Sequence, residues 1–246
     1  GFEKLVQENI SNFRFVAFDT ETTGSSVAED SIVELAAMTF DEEFEHRTFQ
    51  SLVKPPKPIP PVVIKIHGIT DEMVKQAPDG RTVLERFSEF LEWSGGPRVL
   101  LAHNAGFDVG MVHGEAARAL GNARLGKTLE SVGSELVIDT CMLAKVLLPD
   151  LPQPRRVSLA EYFKIDGSRF HRAMSDVKVL HGVFMQLLGI AADRMTARGS
   201  GFTLESLIDL SGGYFILNPA DAAIRKKPFR LPPRIAQIEG LCGTSA

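Results

Sequence analysis

The first part of the chain contains three strand candidates separated by polar residues. They span Phe13 to Phe18, which is apolar and rich in aromatic residues, Ile32 to Phe40, and His46 to Val53, which returns after the acidic turn 41–43. Apolar runs of this length that end at turn residues predict buried strands. Because only a short polar turn joins the second run to the third, we expect the three strands to form an antiparallel meander.

The segment that follows is rich in proline. Prolines recur through residues 54–61 and exclude a helix or a central strand, so this segment should be an extended connector. It leads into a helix that we expect to end near His67 and Gly68. Apolar residues at helical spacing from Thr82 to Leu91 then predict a longer helix, and Arg98 to Ala102 a fourth strand.

From that point helices and strands alternate. The predicted elements are a helix at 107–120, a strand at 136–138, a helix from Asp139 to Leu147, a short helix at 159–163 capped by Ser158, and a long helix after His171. Strands first and alternation afterwards predict an α/β fold. We expect a mixed five-stranded sheet, with the antiparallel meander first and parallel strands after it, flanked by helices.

The character of the chain changes after Ile190, where a polar, glycine-rich stretch begins. We therefore predict one domain at residues 10–190 and a C-terminal extension of unknown role at 191–246. The extension carries a basic, proline-rich segment that could contact nucleic acid or simply keep the chain in solution. Its basic residues are Arg225, Lys226, Lys227, Arg230 and Arg234.

Composition adds constraints of its own. The formal net charge is −4, which argues weakly against a nucleic-acid partner, although bound cations would reverse the local field of an acidic cluster. Cys141 and Cys242 are too far apart in sequence to indicate a zinc site or a framework of disulfides. No apolar run is long enough to span a bilayer, and no signal segment is visible, so we expect a soluble, cytoplasmic protein without a membrane partner.

Two carboxylates stand at the end of the first strand, two positions apart. Side chains alternate along a strand, so Asp19 and Glu21 project to the same side. Two ionised carboxylates at this distance repel each other. A divalent cation prefers hard oxygen ligands and would relieve the repulsion by binding both. Alone, the pair is more typical of a solvated strand end, since short matches of this kind arise often by chance.

Three more residues are ambiguous when taken singly. Asp108 follows the fourth strand and could cap the next helix or bind a ligand at the carboxyl end of the strand. Asp176 lies in the first turns of the long helix, and His171 stands just before it. Both would also be ordinary as surface residues.

Four sequence motifs, in a fixed order, join these residues. They are Phe18-Asp19-Thr20-Glu21-Thr22-Thr23-Gly24, His67-Gly68-Ile69-Thr70, Ala102-His103-Asn104-Ala105-Gly106-Phe107-Asp108 and His171-Arg172-Ala173-Met174-Ser175-Asp176. Over about residues 12 to 190 the chain resembles the DEDDh, or DnaQ-like, 3′→5′ exonucleases of the ribonuclease-H-like superfamily. Chance agreement of four ordered motifs is much rarer than agreement of one. The histidine five positions before Asp176 is similar to that of the histidine subgroup.

The resemblance implies a metal centre and a mechanism. Asp19, Glu21, Asp108 and Asp176 would hold two divalent cations, Mg²⁺ or Mn²⁺, and His171 would take the proton of the attacking water. Four carboxylates and two divalent cations would form a neutral cradle that a phosphodiester can enter. The product implied is a nucleoside 5′-monophosphate.

The resemblance also implies substrate contacts at the 3′-terminal nucleotide. A glycine permits close backbone approach, and threonine hydroxyls can donate to phosphate or sugar. The candidate contacts are Thr22, Thr23, Gly24, His67, Ile69 and Asn104. His67 is equally typical of a helix C terminus, because Gly68 follows it.

The expected substrate is a single-stranded or frayed 3′ end of DNA, as in proofreading or repair. The alternatives are an RNA-trimming exonuclease and a non-catalytic, polymerase-associated module that binds nucleic acid. A ribonuclease-H-like endonuclease would instead produce internal fragments. A polymerase partner could dock through the C-terminal extension.

Overall fold

The computed structural model describes residues 2–40, 47–93, 97–120, 136–167 and 171–217. The elements are α1 (Phe2–Leu5), β1 (Arg14–Thr22), β2 (Ile32–Phe40), β3 (Arg47–Leu52), α2 (Pro61–His67), α3 (Asp71–Val74), α4 (Gly80–Trp93), β4 (Arg98–Ala102), α5 (Ala105–Leu120), β5 (Leu136–Asp139), α6 (Thr140–Leu147), α7 (Arg156–Phe163), α8 (Ala173–Ala197), α9 (Leu204–Leu210) and β6 (Phe215–Ile216). The acidic turn 41–43, His46 and the basic segment of the extension lie outside the described residues.

The described strands form one mixed sheet in the order β3-β2-β1-β4-β5-β6. β1, β2 and β3 pair antiparallel, while β4 runs parallel to β1 and β5 parallel to β4. The predicted meander followed by parallel strands is therefore confirmed. The sheet has a sixth strand that the sequence did not predict, because the two residues of β6 are too few to show a periodic pattern.

Alternation along β1 divides the core into two halves. Phe15 and Ala17 lie in the apolar cluster formed with α6, α7, α8 and α9. Val16 and Phe18, on the opposite face, lie in the cluster formed with α4 and α5. Because successive side chains alternate, the odd-numbered positions of β1 face α8 and the even-numbered positions face α5.

Helix α8 is long and continuous. It runs from Ala173 to Ala197 and therefore passes through residue 191, where the sequence indicated a boundary. Leu204, Leu207 and Leu210 of α9 are buried in the same cluster as α8. The described helix α9 accordingly packs against the same core as α8, and the stretch after Ile190 is the end of α8 and the turn that follows. The role of the extension stays a prediction.

Helix α7 begins earlier than predicted. Arg155, with an extended backbone, is the N-cap residue, and the Leu159 N–H donates to its carbonyl oxygen at 2.9 Å. Ser158 therefore lies inside the first turn instead of capping it. The prediction was wrong because serine is a frequent N-cap residue, whereas here the first turn already closes on Arg155.

None of the described helices is long and apolar enough to cross a membrane.

The packing of α9 predicts that Leu207→Ala lowers the free energy of unfolding by about 2–5 kcal/mol, the range for a buried leucine. Leu207 is fully buried, whereas Leu5 is 38% exposed. Leu5→Ala is therefore the matched control and should cost less than half as much. Urea denaturation followed by circular dichroism measures both. Equal effects would contradict the inclusion of α9 in the main core.

Candidate active site

The carboxyl end of β1 brings three acids together. Asp19 and Glu21 occupy odd-numbered positions and so face α8, which carries Asp176 in its first turn. One carboxylate oxygen from each of the three residues lies within 4.8 Å of the others. The three residues are 2%, 9% and 1% exposed, respectively. Strand alternation therefore brings Asp19 and Glu21 to the same side, as the sequence predicted.

Asp108 approaches from the other face of the sheet. It lies in the first turn of α5, and its Oδ1 accepts hydrogen bonds from the backbone N–H of Thr20 at 3.0 Å and from the Thr20 hydroxyl at 2.8 Å. Thr20 occupies an even-numbered position and so faces α5. Asp108 is thus buried beside the cluster of three acids but is outside the group whose oxygens converge.

A basic residue that the sequence analysis did not single out enters the cluster. Arg156, the first residue of α7, donates from Nη1 to Asp19 Oδ1, and its Nη2 lies 3.3 Å from Asp176 Oδ2. The Arg156 side chain is 24% exposed. One guanidinium therefore bridges two of the four predicted metal ligands.

Burial dominates the electrostatics of the site. Desolvation raises the pKa of Glu21 from 4.5 to about 8 and that of Asp108 from 3.8 to about 6. The pKa values of Asp19 and Asp176 are raised for the same reason, and the charge of Arg156 opposes the rise in both. The carboxylates also raise one another's pKa values, so more positive charge than one guanidinium is needed to keep all four ionised.

The residues fit divalent cations. Asp19 Oδ2 and Asp176 Oδ1 are buried and have no hydrogen-bond partner within the described part of the chain. An unpaired buried carboxylate oxygen is costly, and a divalent cation with hard oxygen ligands removes that cost. Buried oxygens, raised pKa values and convergent geometry therefore favour a metal centre at this point of the sheet.

His171 contacts the cluster through its backbone. Its side chain is exposed, its backbone has a positive φ of 66°, and its N–H donates to Asp176 Oδ2 at 3.2 Å. The residue that follows, Arg172, donates from Nε and Nη2 to Glu34 at 3.1 and 2.9 Å. Glu34 is fully buried on β2 and also accepts from the Ala173 N–H at 3.0 Å. Glu34 therefore fixes the start of α8 and the segment that carries His171.

The predicted contacts after β1 are largely engaged within the protein. The Thr22 hydroxyl donates to the Gly24 carbonyl at 2.6 Å, and the Thr23 hydroxyl donates to Asp30 Oδ1 at 3.0 Å. A Cβ at Gly24 would lie 2.6 Å from the carboxyl carbon of Asp30. In this structure the glycine therefore makes room for Asp30.

The loop after Gly24 is fastened to α5 by Arg118. Its Nη1 donates to the Val27 carbonyl at 2.7 Å and its Nη2 to the Asp30 carbonyl at 2.5 Å. Arg118 also pairs with the buried Glu115 at 3.1 Å, and Glu115 in turn accepts from the Ile32 N–H. The loop that connects β1 to β2 is thus held along its length by one side chain of α5.

His67 and Ile69 are buried. The Ile69 N–H donates to His67 Nδ1 at 3.0 Å, so Nε2 carries the proton and faces the Thr22 carbonyl at 3.3 Å. Burial lowers the pKa of His67, which agrees with the neutral ring. Ile69 packs in a small apolar cluster with Val33 and Val74. His67 thus links the end of α2 to the end of β1, and the Ile69 N–H fixes the orientation of its ring.

Asn104 is exposed in the turn before α5, with a φ of 68°. Its N–H donates to Asp139 Oδ1 at 3.1 Å, which ties the turn to the end of β5. Its neighbour His103 contacts the Thr140 hydroxyl at 2.9 Å through Nδ1, and burial lowers the pKa of His103 to about 4. The side chain of Asn104 is therefore the predicted substrate contact that is most open to a ligand.

The sequence analysis missed Glu34 and Arg156. Glu34 had a visible signal, because it is the one charged residue in the apolar run from Ile32 to Phe40. A charge in a buried strand requires a partner. Arg156 gave no such signal, since it lies 137 positions from Asp19 and follows another arginine.

The site and the fold together define an α/β protein with a cluster of buried carboxylates at the end of a central strand of a mixed sheet. The chain belongs to the exonuclease family, since the sequence profile RNase_T, described as an exonuclease, matches residues 16–184. The matched span contains all four predicted acids and His171.

Two named relatives are similar to most of this chain. It is 37% identical over 174 residues to the PolC-type DNA polymerase III of Caldanaerobacter subterraneus, a match that covers 71% of this chain and 11% of that protein. It is 36% identical over 176 residues to the DNA polymerase III subunit epsilon of Treponema pallidum, covering 71% of this chain and 76% of that subunit. The chain therefore spans a small part of the PolC relative and most of the epsilon relative.

Solved structures share the fold. Exonuclease I of E. coli in complex with a dT13 oligonucleotide has a TM-score of 0.59 at 21% identity, covering 76% of this chain and 42% of that one. Exonuclease X in complex with 5′ overhanging duplex DNA has a TM-score of 0.55 at 24% identity, covering 80% and 99%. These likenesses confirm the predicted fold class.

The raised pKa of Glu21 predicts how pH affects the metal-free protein. A carboxyl group that binds its proton more tightly when folded stabilises the fold less as pH rises from 4.5 to about 8. The depressed pKa values of His67 and His103 act in the opposite direction, but only below about pH 6.5. With EDTA present, the melting temperature should therefore fall between about pH 6.5 and about pH 8.

Thermal melts followed by circular dichroism test this pH dependence. Glu21→Gln should flatten the fall, because its amide does not titrate, and Mg²⁺ or Mn²⁺ should offset it in the wild type. A melting temperature that rises across this window in EDTA would contradict the assigned charge state.

The hydrogen bonds of Glu34 predict that Glu34→Gln lowers the free energy of unfolding by about 1–3 kcal/mol, since it removes a buried charge that accepts from Arg172 and Ala173. Glu72 forms an exposed pair with Lys75 at 3.5 Å, so Glu72→Gln is the matched control and should change stability by less than about 0.5 kcal/mol. Chemical denaturation compares the two variants. Similar small effects would show that Glu34 does not hold α8.

Proposed function

We propose that this chain hydrolyses phosphodiester bonds from the 3′ end of DNA and releases nucleoside 5′-monophosphates. The observation that carries the proposal is the convergence of carboxylate oxygens from the buried Asp19, Glu21 and Asp176. Among the described residues, Asp19 Oδ2 and Asp176 Oδ1 have no hydrogen-bond partner. Membership of the exonuclease family supports the proposal. Similarity to the DNA polymerase III subunit epsilon favours DNA as the substrate.

Two divalent cations, Mg²⁺ or Mn²⁺, belong to the proposal. Asp19, Glu21 and Asp176 would hold them from the α8 face, and Asp108 would join from the α5 face. Bound there, the cations would supply positive charge for the phosphate and lower the pKa of the attacking water. Burial keeps the carboxylates away from bulk water, where charge interactions are screened.

His171 is proposed to take the proton from the attacking water. Its side chain is exposed and its backbone N–H is bonded to Asp176, which supports a place for the imidazole beside the proposed cations. The hydrogen bonds from Arg172 to Glu34 fix the backbone of this segment to β2. An imidazole positioned in this way is a suitable general base near neutral pH.

The 3′-terminal nucleotide is proposed to lie between the end of β1 and the turn before α5. The exposed side chain of Asn104 can reach it directly. Thr22, Thr23 and Gly24 form the wall of this site, and Thr22 and Thr23 would have to exchange internal hydrogen bonds in order to donate to the substrate. His67 and Ile69 support that wall from beneath.

A DNA polymerase is the proposed partner. One similar protein is a DNA polymerase III subunit by name, and the other is a PolC-type polymerase of which this chain matches only a part. Contact through the C-terminal extension, residues 191–246, stays part of this proposal.

Release of nucleotides from a labelled strand tests the reaction. With Mg²⁺ or Mn²⁺, a 5′-labelled single strand should shorten stepwise and a 3′-labelled strand should release its label as a mononucleotide. His171→Ala should slow the reaction by about 10²–10⁴-fold, the usual contribution of a general base, and Asp19→Asn should abolish it. His113→Gln is the control, because His113 Nε2 contacts the Leu217 carbonyl at 2.9 Å and glutamine keeps a donor there.

Two results would overturn the assignment. Internal fragments would indicate an endonuclease, and equal rates in Asp19→Asn and the wild type would remove the carboxylates from the mechanism. The same assay on single-stranded DNA, duplex DNA and RNA decides between DNA and RNA as the substrate.

A further inference from the structure

Arg156 occupies the place where the carboxylates converge. Its guanidinium bridges Asp19 Oδ1 and Asp176 Oδ2, and the remaining oxygens of these two side chains have no partner among the described residues. The two acids bridged by the guanidinium belong to the group of three with converging oxygens. A divalent cation held by these carboxylates would therefore compete with the guanidinium for them.

One guanidinium does not neutralise the cluster. Asp19, Glu21, Asp108 and Asp176 together carry up to four negative charges, whereas Arg156 carries one positive charge. It satisfies one oxygen of Asp19 and one of Asp176 and leaves Glu21 unbridged. Its contribution is to hold β1 and the start of α8 together, because Asp19 lies on the strand and Asp176 on the helix.

The backbone of Arg156 is fixed, and its side chain is partly exposed. Pro154 is buried, and its carbonyl is hydrogen-bonded to His103 just after β4. Arg155 then caps α7, so the start of this helix is anchored to the sheet. The Arg156 side chain reaches the acids from this anchored start and is 24% exposed. Any departure of the guanidinium from the carboxylates would therefore be a movement of the side chain and not of the helix.

We propose that Arg156 is a positioning residue for the metal centre: it holds Asp19 and Asp176 together before divalent cations bind, and it leaves them when the cations arrive. This inference rests on the metal-dependent function proposed above. Metal binding is then an exchange, in which divalent cations replace the Arg156 guanidinium at the two carboxylates. The apparent metal affinity is then lower than the carboxylates alone would give, and the metal-free chain is more stable than it would be without Arg156.

Calorimetric titration of the metal-free protein with Mn²⁺ tests the exchange. Arg156→Gln should bind Mn²⁺ about tenfold more tightly or better, because the bound metal no longer displaces charge-assisted hydrogen bonds. The same variant should melt at a lower temperature in EDTA, because two buried carboxylates lose their partner. Arg155→Gln is the matched control, since Arg155 is exposed and makes no side-chain capping bond within the described residues, and it should match the wild type in both measurements.

Arg156→Lys provides a second variant if Arg156→Gln does not fold. Lysine keeps one charge but cannot bridge both acids with a planar fork, so its Mn²⁺ affinity should lie between those of the wild type and the glutamine variant. Unchanged or weaker Mn²⁺ binding in Arg156→Gln, or in Arg156→Lys if only that variant folds, would overturn the inference.

Asp19→Asn separates this inference from the proposed function. If the wild type binds Mn²⁺ and Asp19→Asn does not, the metal centre stands and the arginine variants judge the exchange alone. If neither the wild type nor the Arg156 variants bind Mn²⁺, the metal centre and the exchange both fail.

Discussion

The structure depends on the burial of four carboxylates around the end of one strand. In water such groups are well solvated, but between a sheet and its covering helices each needs a partner of opposite charge or a strong donor. Thr20 provides donors to Asp108, and Arg156 provides charge to Asp19 and Asp176. These partners leave Asp19 Oδ2 and Asp176 Oδ1 unsatisfied among the described residues, and the proposed binding of divalent cations would depend on this incomplete neutralisation.

The acids approach the end of β1 from both faces of the sheet. The face toward α8 receives Asp19 and Glu21 and meets Asp176, whereas the face toward α5 receives Thr20 and meets Asp108. A shift of β1 by one residue would exchange the faces and turn every acid of the strand away from α8. The long register of β1 with β2 pairs Phe15 with Phe40 and continues to Glu21 opposite Glu34, before an irregularity at Thr22. It therefore fixes the side on which the acids lie as well as the fold.

Much of this arrangement was predictable from local pattern. Apolar runs identified the first five strands, and alternation alone placed Asp19 and Glu21 on one side. The start of α7 was misplaced because N-cap preference is a local rule that the contact between Leu159 and Arg155 overrides. The bridge formed by Arg156 was not predictable, since nothing in a sequence records that positions 137 residues apart meet. Glu34 falls between these cases, because its charge in an apolar strand was visible but its partners Arg172 and Ala173 were not.

The hydrogen bonds from Arg118 to the β1–β2 loop affect how a substrate would bind at the end of β1. The loop from Val27 to Asp30 is bonded to α5 through its own carbonyl groups, and Asp30 in turn holds Thr23. A loop fixed in this way loses its conformational entropy when the chain folds. If a nucleotide binds at the end of β1 as proposed, the loop beside it is already ordered, so little of the binding free energy would be consumed in ordering the protein.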